Sequence, residues 1–382
     1  MTTTRTPLVE IVRLFLRLGF TAFGGPAAHI SMMHDEVVTR RQWMTDQHFL
    51  DLVGATNLIP GPNSTEMAIH IGYERGGWRG LIAAGVCFIM PAVLIVLVLA
   101  WAYVEYGSTP QGDALLYGIK PVIIAIVLQA LVRLAPKALK SPLLWVIGAA
   151  ALALYLLGFN ELLILFGGAF LFMGIRALRG FSGTLALALL SGTPAVALQA
   201  DAAVPITLWR IFLVFLKVGA LLYGSGYVLL AFLRTDLVVN YGWLTDQQLL
   251  DAVAVGQFTP GPVFTTATFV GYVLAGVPGA AVATIGIFLP SFLFVALLAR
   301  LMPHLRKSPW TAAFLDGINV TALALMAGVL LQLGRAAIVD IPTAILAAAA
   351  AFLLFRVKIN SAWLVVGGGI IGLAIFYLQG RL

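Results

Sequence analysis

Charge is what this chain has least of. Only 10% of its 382 residues are Asp, Glu, Lys or Arg, against roughly one-quarter in soluble domains. With 61% hydrophobic residues, the composition is that of an all-α polytopic membrane protein. Cysteine is nearly absent as well: the single Cys87 lies inside an apolar run, which excludes a disulfide framework or a thiolate metal site within one chain. The sequence holds no GxxxxGK[ST] phosphate loop, HExxH, CxxC or GxSxG, so neither ATP hydrolysis nor a common hydrolytic centre is signalled. No cofactor motif is present, and energy has to come from an ion or voltage gradient. His29, His34, His48 and His70 are scattered without a metal-ligand pattern, and each is expected to make a satisfied polar contact. The first apolar run is broken by Glu10, Arg13 and Arg17 and has no small-residue cleavage site, so the first helix is expected to stay in the mature chain. The net charge of +7 sits in short loops between apolar runs, which speaks for orientation on a membrane rather than for a nucleic-acid partner.

What the chain does have is one unusual stretch, used twice. Trp43 to Tyr73 reads WMTDQHFLDLVGATNLIPGPNSTEMAIHIGY, and Trp243 to Tyr272 reads WLTDQQLLDAVAVGQFTPGPVFTTATFVGY. In each, a Pro-Gly-Pro triplet interrupts an apolar run, because proline lacks the amide donor and clashes with the preceding turn. Two half-helices are expected around each break. The match extends further: a shift of 200 residues aligns Phe15, Leu16 and Gly19 with Phe215, Leu216 and Gly219, and Asp46 and Asp51 with Asp246 and Asp251. A shift of 199 carries it through Pro91 and Pro290 to Gly118-Ile119 and Gly317-Ile318. Convergent membrane composition aligns leucines, not Trp, Asp and Pro at fixed spacing. The chain is therefore read as two homologous halves, 1–180 and 207–382, joined by a linker at 181–206 rich in Gly, Pro and small residues.

Apolar runs follow each broken segment, near 79–104, 114–135, 142–158 and 161–176, and again near 280–302, 312–333, 341–356 and 361–378. Loop charge sets their orientation. In the first half Arg75, Arg79, Arg133, Lys137, Lys140, Arg176 and Arg179 mark one side, while the loops near Glu105 to Asp113 and Glu161 are acidic. In the second half the loop matching Arg75 and Arg79 has no charge, and the one matching Glu105 to Asp113 carries Arg300, Arg306 and Lys307. By the positive-inside rule the halves are inverted, related by a pseudo-two-fold axis in the membrane plane. The broken segments either fold back as re-entrant hairpins, leaving five full spans per half, or continue as interrupted spans, leaving six. The total expected is about ten to thirteen transmembrane helices.

The residues around the breaks suit an anion. Helix N-termini attract negative charge through unpaired amides and the helix dipole, so Gly61, Asn63, Ser64 and Thr65, with Gly261, Thr265 and Thr266, form the expected substrate site. Helix capping is the competing role for them. Arg17 and Lys217 recur in the first helix of each half, seven residues before the glycine-rich turns at Gly24-Gly25 and Gly224; the cations and the backbone donors of these glycines are expected to join the substrate site, with close helix packing as the competing role of the glycines. Snorkelling to the headgroups is the bland alternative. Lys120, in mid-span with Asn319 as its counterpart, ranks behind them. Asp46 and Asp246 are read as N-caps, whereas Asp51, Asp251 and the one-sided Glu66 are candidates for proton coupling or for ion pairing with the cations.

The segments FTAFGGPAAHI, WMTDQHFLD, NLIPGPNSTEMAIHIGY, YGSGYVLL and TATFVGY resemble the chromate ion transporter family in its long, two-domain form, essentially end to end. The resemblance implies export of chromate across the bacterial cell (inner) membrane, driven by the proton motive force and conferring chromate resistance. It also implies inverted halves, often with about thirteen spans. The expected partners are a tetrahedral oxyanion and the lipid bilayer, and the residues leave a homodimer open. A transporter of sulfate or another oxyanion has the same requirements. A membrane-embedded enzyme acting on a lipid or phosphate ester would need a nucleophile or metal that the sequence does not place.

Overall fold

The computed structural model describes residues 6–22, 25–178, 205–223, 228–305, 309–357 and 359–378. Gly24, Gly224 and nearly all of the linker lie outside them. Every described element is helical: α1 (Leu8–Thr21), α2 (Pro26–His34), α3 (Asp46–Thr56), α4 (Asn63–Tyr106), α5 (Pro110–Ala138), α6 (Pro142–Leu156) and α7 (Glu161–Leu178) in the first half. The second half repeats them as α8 (Leu208–Leu221), α9 (Leu229–Leu233), α10 (Asp246–Phe258), α11 (Thr266–Leu305), α12 (Pro309–Ala337), α13 (Ile341–Phe352) and α14 (Ser361–Leu378). Among the described residues, five helices are long and apolar enough to cross a membrane. The second arm of α4 has two faces: Ile82, Val86, Met90, Leu94 and Val98 recur every four residues and are exposed, a stripe for lipid, while Leu81, Ala84, Phe88 and Ala92 are buried.

Local chemistry sets the boundaries. The Thr45 and Thr245 hydroxyls accept the amides of His48 and Gln248 and so cap α3 and α10. Asp46 and Asp246, read from sequence as the caps, are instead the first helical residues, and their carboxylates hold His34 (2.6 Å) and Arg234 (2.8 Å). Inside α4 and α11 the chain reverses at Gly77 and Gly276, whose φ values of 59° and 61° suit glycine. Gly72 then packs on Gly80, and Gly271 on Gly279, so closely that a Cβ at either would strike the facing carbonyl. Gly72→Leu should therefore destabilise the protein by about 1–3 kcal/mol or more. Gly334→Leu, whose Cβ meets nothing within 4 Å, should not. Melting of the two purified variants in detergent checks this.

The first Pro-Gly-Pro segment is re-entrant, and the second repeats its reversal at Gly276. Arg75, at the end of the first arm of α4, donates to the Trp43 carbonyl (3.1 Å), and Glu74 lies 3.2 Å from His48, so both arms begin and end at one face of the protein. The first helix also turns back, contrary to its expected role as a full span. Arg41 donates to Glu10 (2.9 Å), bringing the chain after α2 back to the start of α1, and the Thr6 amide donates to the Arg75 carbonyl (3.0 Å). At 14 residues, α1 is only about 21 Å long, short of an apolar core about 30 Å thick. Each half thus begins with two hairpins of half-helices, followed by long helices.

The halves are inverted. Tyr117, near the start of α5, donates to Asp340 just after α12 (2.8 Å), and Lys140, just after α5, donates to Asp316 near the start of α12 (2.6 Å). These sequence-equivalent helices lie side by side in opposite senses, which only an axis across the helices produces. Each is clasped by the other half: α5 packs on α13 and α14, and α12 on α6 and α7.

Candidate functional site

The two halves meet at the tips of their hairpins. The Gly61 amide donates to the Leu222 carbonyl at the end of α8 (2.7 Å), and the Gly261 amide donates to the Ala22 carbonyl at the end of α1 (2.8 Å). Each break therefore docks on the first helix of the opposite half. Both Pro-Gly-Pro triplets are buried there. The Gly61 tip faces Ser291 of α11, and the Gly261 tip faces Ala92 of α4 and the Gly19 carbonyl of α1. Four ends of broken helices, two from each half, share this junction.

The donors expected for an anion are partly spent. Besides the two glycine amides, the Thr265 hydroxyl donates to the Pro262 carbonyl and that of Thr266 to the Val263 carbonyl, both at 2.8 Å. Asn63 donates to Asn57 (2.6 Å). The first-half break keeps more. Among the described residues no side chain caps the helix that opens at Asn63, Ser64 is buried, and the Thr65 Oγ1 is buried without a hydrogen-bond partner. One helical position on, the Glu66 carboxyl is wholly buried, with Oε1 accepting from Ser291 (3.4 Å) and Oε2 without a partner among the described residues.

The first-helix cations do not reach the breaks. Arg17 pairs with the buried Glu36, which also holds Arg40 (3.1 Å) and Arg41 (3.3 Å). Lys217 donates to Asp236 at 2.6 Å. Arg17, Thr21, Ser31, Asp35, Glu36 and Arg40 line an open cleft of about 470 Å³ between α1 and α2. Gly25 bounds the α1–α2 turn with φ of 80°.

A family model described as "Chromate transporter" matches residues 9–174 and, a second time, 209–373. The chain belongs to the chromate transporter family. It is 36% identical to the chromate transport protein of Cupriavidus metallidurans, over 97% of this chain and 94% of that one. Identity to the probable chromate transport protein of Synechococcus elongatus is 34%, over 93% and 90% of the two chains. A chromate transport protein of Pseudomonas aeruginosa is 32% identical, over 97% and 93%. No solved structure matches the chain.

Within this transporter the structure reassigns several residues. Asp51 and Asp251 are not partners of Arg17 and Lys217. Asp251 is buried with its Oδ1 3.3 Å from Lys120 and its Oδ2 accepting from Tyr103 (3.0 Å), and Asp51 accepts from Gln47 (3.1 Å). Lys120, which has no basic counterpart in the second half, is thus an intramembrane cation bridging the halves. The partners of the first-helix cations are Glu36 and Asp236, which recur at the same 200-residue shift, the one signal in the sequence that points to them. His34 and His48 have the carboxylate partners described above. His29 has the expected polar contact, a hydrogen bond with the Ala22 backbone, whereas the buried His70 Nε2 has no partner among the described residues.

Proposed function

We propose that this chain is a secondary transporter that exports chromate from the cytoplasm of a bacterial cell across its inner membrane and so confers resistance. The observation that carries the reading is the reciprocal docking of Gly61 on Leu222 and Gly261 on Ala22, which gathers four broken-helix ends of an inverted repeat at one buried junction. The names of the relatives supply the substrate. A tetrahedral dianion stripped of water needs converging donors. Arg17 and Ser31 in the open cleft receive it, the Thr21 hydroxyl being spent on the Arg17 carbonyl (2.8 Å), and the Thr65 hydroxyl with the first-turn amides at Asn63 and Ser64 takes it at the junction. The basic face, with Arg75, Arg133, Lys137 and Lys140, is cytoplasmic. With the interior negative, moving two negative charges outward gains about 2.3 kcal/mol per charge per 100 mV, roughly 4.6 kcal/mol in all. Voltage alone is a sufficient drive.

Glu66 is the carboxyl best suited to add a proton to the cycle, since Asp251 is engaged by Lys120 and Tyr103 whereas Glu66 Oε2 is buried with no partner among the described residues. Counterflow of labelled chromate in liposomes tests the substrate, with unlabelled sulfate as competitor. Chromate should exchange, and displacement by sulfate as strong as by chromate would make this a general oxyanion transporter. Glu66→Gln should flatten the pH dependence of net export yet retain counterflow; an unchanged pH profile removes Glu66 from the proton route.

A further inference from the structure

By sequence α3 and α10 are the same element, yet they sit in different surroundings. Leu50 of α3 is 52% exposed, whereas its equivalent Leu250 is 1% exposed. The α10 helix packs against α5, α12 and α14, held by Asp251 on Lys120 and Tyr103 and by the Gln247 amide donating to the Ala336 carbonyl (2.6 Å). The α3 helix packs on α4, and the face that would match carries Gln47, Leu50, Asp51 and Asn57, none of them buried. The neighbouring hairpins differ in the same sense. Leu229 to Leu233 are all buried, while Ser31 and Met32 line the open cleft beside Arg17. The first-half hairpins even form a hydrophobic cluster of their own, and those of the second half are continuous with the main core.

A half-membrane helix cannot cheaply turn Gln47 and Asp51 to lipid, because amide and carboxylate groups lose their hydration there. With Gln47, Asp51 and Asn57 on it, that face is suited to water rather than lipid, on the side of Trp43 and Arg75. An inverted repeat whose copies adopt two arrangements holds the instructions for a second state, in which the copies exchange them.

We infer that α3 and α10 alternate between these two placements. In the second state α3 docks between α5 and α12 at the positions related by the 199-residue shift, with Gln47 on the Lys137 carbonyl and Asp51 beside Asn319. At the same time α10 withdraws, and Lys120, no longer neutralised by Asp251, becomes an anion contact in a vestibule on the opposite face. This deepens the transport reading, on which it rests. The two locks are unequal: the observed state has an ammonium–carboxylate pair, and the second has Asn319 where Lys120 would be. Weakening the ionic lock should therefore populate the second state.

Cysteine pairs in a Cys87→Ser background test this in full-length protein in liposomes. A short bifunctional thiol reagent should bridge Gln247→Cys to Ala336→Cys in the observed state and Gln47→Cys to Lys137→Cys in the second. Adding Asp251→Asn should raise the yield of the second bridge severalfold, and either bridge should arrest chromate counterflow. If Gln47→Cys and Lys137→Cys stay unbridged with chromate present and with Asp251→Asn, while the other pair bridges fully, the asymmetry is static and the proposal falls. It falls equally if the bridged protein still exchanges chromate, or if Gln247→Cys and Ala336→Cys do not bridge. Bridging is read on gels without any flux, so failure of the parent to exchange chromate counts against the transport reading alone.

Discussion

Lys217→Ala is expected to cost the protein its fold, and with it all transport, whereas Arg17→Ala should leave the fold intact. The two residues are equivalent by sequence, but their carboxylate partners are not equally served. Asp236 is 4% exposed, and among the described residues Lys217 is the cation within ion-pair distance of it. Removing that cation strands a buried carboxylate, typically a loss of 3–5 kcal/mol; with Lys217 itself a third exposed, about 3 kcal/mol is the better expectation. Glu36 keeps Arg40 and Arg41 when Arg17 is lost, so its charge remains matched. The double variant Lys217→Ala/Asp236→Ala removes both charges and should recover the melting temperature, since an absent pair costs far less than half of one. Melting in detergent and chromate counterflow together separate the roles. A Lys217→Ala protein that melts like the parent would show that the pair does not hold the hairpin. An Arg17→Ala protein that folds and exchanges chromate normally would remove Arg17 from the anion path.

Much of this architecture could be read before any coordinates, because it rests on breaks and repeats that side-chain chemistry imposes locally. Pro60-Gly61-Pro62 and Pro260-Gly261-Pro262 cannot continue a helix, and their recurrence with Trp43 and Trp243 at one spacing required a duplicated unit. The flipped loop charges likewise required inversion. The fold-back of α1 was harder to read. Gly24-Gly25-Pro26 reads as a turn, but its consequence depends on the charges of the returning arm, Glu36 and Arg41, reaching Arg17 and Glu10 across the hairpin. The availability of donors was not legible at all. Thr265 and Thr266 look like free hydroxyls in one dimension, yet in a helical first turn such groups bond to carbonyls three residues back, as these do. The Gly61 and Gly261 amides are spent on Leu222 and Ala22, contacts between halves that follow from the assembled symmetry rather than from either segment.

That last contact changes what substitution at the break should do. If Gly61 merely exposed its backbone to an anion, a larger side chain would weaken binding and spare the fold. The geometry points to a structural failure instead. Gly61 has φ of 134°, a conformation close to exclusive to glycine, and a Cβ there would strike the Glu66 carboxylate and lie 2.7 Å from the Ser291 hydroxyl. Strain of about 1–3 kcal/mol from the backbone adds to about 1–3 kcal/mol from overpacking, and moving the tip also breaks the hydrogen bond from Gly61 to Leu222. Gly61→Leu should therefore lower the melting temperature sharply and separate the halves, with transport lost as a consequence. Gly261→Leu should do the same through Ala92, whose Cβ lies 2.9 Å from the added atom. The comparison that decides is between stability and binding in one sample. A Gly61→Leu protein that melts with the parent but no longer binds chromate would mean that the glycine's backbone serves the anion directly, and that its docking on Leu222 gives way when substrate arrives.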